Sequence, residues 1–178
     1  MLQTLLTWFY CLSLWEGVLW VGIALGGFSL ARWRFRHAGG WKAAMGGLLV
    51  VWLAVIAAAT LTDRTASAVA QAPQLIPFQS YRAFFAGENE ELLRSNLMNV
   101  LLFFPAGLFA GALLPRQRLL PILGIALAAA LLSAGIEVLQ FRFALGFAET
   151  DDVIHNTLGA LLGAAAGSFP LPPRRSRP

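Results

Sequence analysis

The sequence is poor in charge and almost without cysteine. Of its 178 residues only 12% are charged and 58% are hydrophobic, whereas an average soluble domain carries about 25% charged residues. So little charge cannot clothe a water-soluble domain, and it points to a chain solvated by lipid. The single cysteine, Cys11, excludes an internal disulfide and, in its apolar stretch, reads as a small packing residue. Residues 1–31 contain no Lys or Arg. The first apolar segment therefore lacks the basic start of a secretory signal and is expected to be retained as a span. The formal net charge of +4 does not imply a nucleic-acid partner, because the basic residues sit in short connectors between apolar runs.

What the chain has in abundance is apolar segments near the length of about 20 residues that a spanning helix needs. Five are expected to cross the membrane, roughly 5–31, 43–62, 97–114, 119–140 and 152–170. The connectors orient them by the excess of Lys and Arg on cytoplasmic loops. Arg32, Arg34, Arg36 and Lys42 lie in one connector, Arg116 and Arg118 in a second, and Arg174, Arg175 and Arg177 in the tail, and none of these three holds an acid. They alternate with mixed or acidic connectors. The pattern predicts an all-α, polytopic bundle of about five transmembrane helices in the cell membrane, N-terminus outside and C-terminus cytoplasmic. Residues 1–42 form an additional N-terminal helix with a basic loop, 43–170 the main transmembrane domain, and 171–178 a basic disordered tail that can touch anionic lipid heads. In the long connector, "LIPF" (75–78) and "YRAFF" (81–85) suit the outer interface, and "ENEELLRS" suits a short surface helix.

Lipid tails give apolar side chains little reason to associate, so membrane helices pack through small residues. Gly22–Gly26, Gly107–Gly111 and Gly159–Gly163–Gly167 follow the four-residue spacing. Pro105 cannot donate to the carbonyl of Leu101 and should kink its helix.

Polar side chains recur at matched depths. Asp152, Asn156, Gly159 and Gly163 share one helical face, with His155 at its edge and Asp151 just beyond. Ser133, Glu137 and Gln140 form a second face, and Asn96, Asn99, Phe103 and Ala106 a third. An ionisable group in lipid costs roughly 2.5–3.5 kcal/mol on insertion scales and marks a functional site by default. One reading is structural: Asp151 and Asp152 cap the last helix while Glu137, Asn99 and Asn156 bind helices together. The other is a polar pocket opening outward, with Asn99, Glu137, Gln140, Arg142, Asp151, Asp152 and Asn156 as ligand-binding candidates and His155 beside them. Glu16, near the middle of the first span, is a separate case: a carboxyl there is neutral or paired inside the bundle.

Three stretches, "NLMNVLLFFPAGLFAG" (96–111), "SAGIEVLQFRF" (133–143) and "DDVIHNTLGALLG" (151–163), together resemble the VanZ-like family of bacterial membrane proteins, over roughly residues 45–168. The family's motif positions fall on Asn99, Pro105, Gly107, Glu137, Gln140, Asp152, Asn156, Gly159 and Gly163. His155 stands where many relatives carry an apolar residue. The family is named for a protein giving modest resistance to the glycopeptide teicoplanin, so the resemblance implies an envelope role without supplying a reaction.

Three functions stay open. A non-catalytic envelope factor would bind a lipid-linked cell-wall precursor, a lipid head group or the glycopeptide; Arg142, Arg94 and interfacial aromatics beside the pocket suit an anionic head. An enzyme acting on a lipid-linked phosphate or ester would use Glu137 and Asp152 as acid and base, or share a divalent cation between them and Asp151, but no nucleophile motif is present. A structural partner of another membrane protein would use the glycine faces, Gly107, Gly111, Gly159, Gly163 and Gly167. No cofactor or resident metal is expected, and the partners expected are membrane lipids. A transporter is disfavoured by the lack of visible duplication.

Overall fold

The computed structural model describes residues 14–35, 40–62, 73–87, 91–114, 119–145 and 148–169. Cys11, the start of the first expected span, Arg36, Arg116, Arg118 and the basic tail lie outside the described residues. Within them the chain is all-helical, with no strand. The elements are α1 (Leu14–Phe35), α2 (Trp41–Leu61), α3 (Gln79–Phe85), α4 (Glu91–Ala112), α5 (Leu119–Arg142) and α6 (Thr150–Gly167). Among the described residues, three stretches are long and apolar enough to cross a membrane: Trp41–Leu61, Leu93–Ala112 and Leu119–Arg142.

Two boundaries differ from the sequence expectation. Helix α1 continues past residue 31 through Arg32 and Arg34, whose guanidinium carbons sit 5.6 Å from the Phe28 ring centroid and 5.7 Å from that of Phe35. These contacts let the cations end the helix rather than break it. Helix α4 begins at Glu91, so "ELLRS" is its opening turns and not a separate surface helix. Glu, Leu and Arg are strong helix formers, and nothing after Glu91 interrupts them. The helix runs on through Pro105, which is fully buried. One turn before it, the Trp52 indole N–H donates to the carbonyl of Leu102 at 2.8 Å, the kind of neighbouring-helix contact that satisfies backbone near a membrane proline.

The helices are inside-out relative to those of a water-soluble bundle. On α5 the exposed side chains before the terminal Arg142 are apolar, Leu120, Leu127, Leu131 and Val138 among them. The buried stripe is Ala126, Ala129, Ser133, Ile136, Glu137 and Gln140, with Ser133 at 0% exposure and Gln140 at 2%. Steps of three and four residues keep these on one face. Polar-in and apolar-out is the arrangement lipid demands. Helix α2 contributes Met45, Trp52, Ile56 and Thr60 as its buried stripe, and Trp52 packs edge-on against Phe109 of α4.

Helices α4 and α6 form the closest pair, and glycine makes it possible. An added Cβ at Gly107 would lie 2.1 Å from the carbonyl oxygen of Ala160, and at Gly111, 2.3 Å from that of Ala164. From the other side, Cβ atoms at Gly159, Gly163 and Gly167 would lie 2.2, 2.0 and 2.0 Å from the carbonyl oxygens of Val100, Phe104 and Leu108. Backbone thus packs on backbone along the whole seam. Gly22 and Gly26 share the same spacing but meet nothing within 4 Å, so among the described residues the motif in α1 marks no helix contact.

The clash distances predict the effect of one methyl group. Gly163→Ala should force α4 and α6 apart and lower stability by about 2–3 kcal/mol, the upper range for overpacking. Gly46→Ala, where a Cβ meets nothing within 4 Å, should be neutral or slightly stabilising. Thermal unfolding of the two purified variants in detergent checks this.

Candidate functional site

The polar residues gather where α2 ends, α4 begins, α5 ends and α6 begins, so all belong to one end of the bundle. The segment before α3 is drawn onto this end by backbone pairing. Gln74 N–H donates to the Ala148 carbonyl at 2.9 Å, and Thr150 N–H donates to the Gln74 carbonyl at 3.1 Å. Phe78 then takes a left-handed backbone, φ 60°, which a non-glycine residue adopts only at a cost of about 1–2 kcal/mol.

Asp151 offsets that cost. Its carboxylate accepts the backbone N–H of Phe78 at 2.5 Å, the N–H of Ser80 at 3.0 Å and the Ser80 hydroxyl. Asn96 of α4 donates in turn to Ser80 Oγ at 2.7 Å. The expectation that Asp151 and Asp152 cap α6 is therefore corrected. The residue at the cap is Glu149, which makes no side-chain cap bond, and Asp151 caps the start of α3 instead. Free N–H groups at the start of a short helix need an acceptor, and the returning loop brings them to Asp151 rather than leaving them to water.

His155, one turn further along α6, is buried and bonded through both ring nitrogens. Nδ1 lies 2.5 Å from the carbonyl oxygen of Asp151. A carbonyl can only accept, so Nδ1 carries the proton, and in the neutral ring Nε2 accepts from the Tyr81 hydroxyl at 2.8 Å. The two rings also stack, with centroids 5.7 Å apart. The histidine thus clamps α3 to α6.

Beside this clamp runs a seam of polar bonds between helices. Asn99 Nδ2 donates to Asp152 Oδ1 at 2.7 Å. Glu149 N–H donates to Glu137 Oε2 at 2.9 Å. Asn156 Nδ2 donates to Ser133 Oγ at 2.8 Å, and Gln140 Nε2 to the Thr60 carbonyl at 2.9 Å. Among the described residues, two buried oxygens, Gln140 Oε1 and Asn156 Oδ1, have no hydrogen-bond partner. Of the candidates from sequence, Asn99, Glu137, Gln140, Asp151, Asp152 and Asn156 come together here. Arg142 does not: it is exposed at the end of α5. Ser80, Tyr81 and Thr60 were missed, because their partners lie 71 to 80 residues away and leave no local pattern. Among the described residues no group of three or more His, Cys, Asp or Glu is placed to hold a metal ion.

Glu149 is the group most altered by this crowding. Burial, then the charges of Asp152 and Asp151, push its carboxyl from 4.5 up to about 7.

The inverted helices and the gathered polar end define a helical membrane protein with its buried polar chemistry concentrated at one end of the bundle. A profile of the VanZ/LLP1 family matches residues 45–169. The chain belongs to that family, and α1 lies outside the matched stretch. No curated protein and no solved structure matches the chain.

Two outcomes follow from this geometry. Asp151→Asn places an amide where three donors converge, and should destabilise the protein by about 2–4 kcal/mol. Limited proteolysis should then cut residues 73–87 faster than in the parent. For Glu149, the folded value lies above the unfolded one. The stability contributed by its protonation is thus fully present below pH 4.5 and lost as pH rises through about 7. Thermal midpoints of the parent should fall across that window relative to Glu149→Gln, and parallel curves would contradict the assignment.

Proposed function

We propose that the chain is a non-catalytic envelope factor of the cell membrane. In this reading it crosses the membrane five times, with the N-terminus outside and the C-terminus cytoplasmic. The polar end of the bundle then faces outward as a pocket for a lipid-linked cell-wall precursor, a lipid head group or a glycopeptide such as teicoplanin. The observation that supports it is the convergence of Asn99, Glu137, Gln140, Asp152 and Asn156 from α4, α5 and α6, with two buried amide oxygens still unpartnered. Buried polar groups that serve only to bind helices together are as a rule hydrogen-bonded. Leu75, Ile76, Phe78 and Phe85 are exposed around the same end, which suits contact with acyl chains at an interface.

The reading of the protein as a structural partner through its glycine faces is less well supported. Gly107, Gly111, Gly159, Gly163 and Gly167 are all engaged between α4 and α6, so none of them offers a face to another protein.

The test uses the two carboxylates. Glu137→Gln and Asp152→Asn, each shown to reach the membrane, should abolish the reduction in teicoplanin susceptibility that the parent chain gives its host. Full protection by both variants would remove the pocket reading.

A further inference from the structure

At the polar end the charges are sorted by depth. Glu137 and Asp151 are buried and Glu149 and Asp152 half-buried, whereas Arg82 of α3 and Arg142 of α5 are exposed. Neither arginine projects from a polar face. Phe78 stands four residues before Arg82 and Phe85 three after it, both exposed, Phe85 at 81%. The Arg82 N–H donates to the Phe78 carbonyl at 3.3 Å, so the turn between them is helical and the three side chains share one side. Val138 and Leu139, exposed on α5, precede Arg142 by four and three residues. Leu75 and Ile76 extend the apolar surface ahead of α3, and Phe141 and Phe143 widen the one around Arg142. The opposite side of α3 is tied to the bundle, with Ser80 bonded to Asp151 and Asn96, and Tyr81 to His155. The Phe78, Arg82 and Phe85 side is therefore turned away from the helices.

We propose that α3 lies in the plane of the membrane, docked by this side on a phospholipid leaflet. Phe78 and Phe85 enter the acyl boundary, and the Arg82 and Arg142 guanidiniums reach head-group phosphates. The proposal rests on the reading of the bundle as membrane-spanning with its polar end at a leaflet surface, and not on the pocket. At 7 residues α3 is too short to span. Its outward side mixes two chemistries, and that mixture names the partner. Water would leave the aromatic rings unburied, and a wholly apolar partner would strand the guanidiniums. A leaflet satisfies both. Acyl chains take the rings, while the long arginine stems carry their heads to phosphate oxygens that match the guanidinium fork. The acids that follow in sequence, Glu88, Glu90 and Glu91, oppose a preference for a negatively charged leaflet, so the partner is the phosphate common to all phospholipids. Helix α3 is then held from two sides, by Asp151 and His155 on one and by lipid on the other.

The experiment places a bimane fluorophore at Phe85→Cys, with Cys11 replaced by Ser, in the full chain reconstituted in phosphatidylcholine vesicles. Nitroxide lipids, labelled either near the head group or deep in the acyl chain, report its depth, and aqueous iodide reports its exposure to water. Leu131→Cys, on the exposed side of α5, is the control for the span. The shallow nitroxide should dim position 85 more than the deep one, and position 131 should show the reverse order. Arg82→Glu sets a carboxylate against phosphate and should weaken the lipid quenching at 85 by about fivefold, the factor one arginine near a head-group surface confers; Arg82→Lys should keep it. A probe at Phe143→Cys should respond to Arg142→Glu in the same way. Quenching of 85 by iodide alone, with 131 still quenched by lipid, would overturn the docking and leave the pocket reading standing. Deeper quenching at 85 than at the head-group level would overturn the in-plane placement. A charge reversal that leaves its probe unchanged would overturn that arginine's phosphate contact. Lipid quenching at neither 85 nor 131 would overturn the membrane-spanning reading and the docking with it.

Discussion

The contact between the backbones of α4 and α6 sets the geometry of everything else. Five glycines leave no side chain in the seam, and at each a Cβ would fall within 2.3 Å of a carbonyl oxygen on the facing helix. In lipid, where burial of apolar side chains does not drive helices together, such close van der Waals contact and the polar bonds beside it supply the association. The glycine register fixes which residues face each other one turn further along. Val100 sits over Gly159, and its neighbour Asn99 consequently reaches Asp152. The polar seam is thus a product of the glycine seam.

From that fixed pair the remaining elements are placed by hydrogen bonds. Helix α5 joins through Ser133 to Asn156 and Glu137 to the Glu149 backbone. Helix α2 joins through Gln140 to the Thr60 carbonyl and Trp52 to the Leu102 carbonyl. The α3 segment is held by Asp151 and His155. Low dielectric strengthens each of these bonds and raises the cost of any group left out. Gln140 Oε1 and Asn156 Oδ1 stand out against that cost, as buried oxygens without a partner among the described residues.

Much of the fold was legible because membrane helices obey one period and one solvent. The spacing of Ser133, Glu137 and Gln140, and of Asp152, Asn156, Gly159 and Gly163, identifies shared faces without coordinates, and the three motif stretches identify the family. What escaped was set by contacts across the chain. Asp151 looked like a cap for its own helix, since nothing local reveals that residues 78–80 return to it. His155 read only as the edge of the polar face, since its partner Tyr81 lies 74 residues earlier. Arg142 shares the neighbourhood of Gln140 in sequence, but its position on the helix turns it outward. Helix α4 began earlier than hydropathy suggested because its opening turns are charged yet strongly helix-forming.

The central claim is that α4 and α6 meet so as to bring Asn99 and Asp152 together at the polar end. Cross-linking in membranes tests it most directly. With Cys11 replaced by Ser, the pair Asn99→Cys and Asp152→Cys should be joined within one chain by a short bis-methanethiosulfonate reagent. A double variant that reaches the membrane, labels at both cysteines and yet forms no intramolecular cross-link would contradict the account.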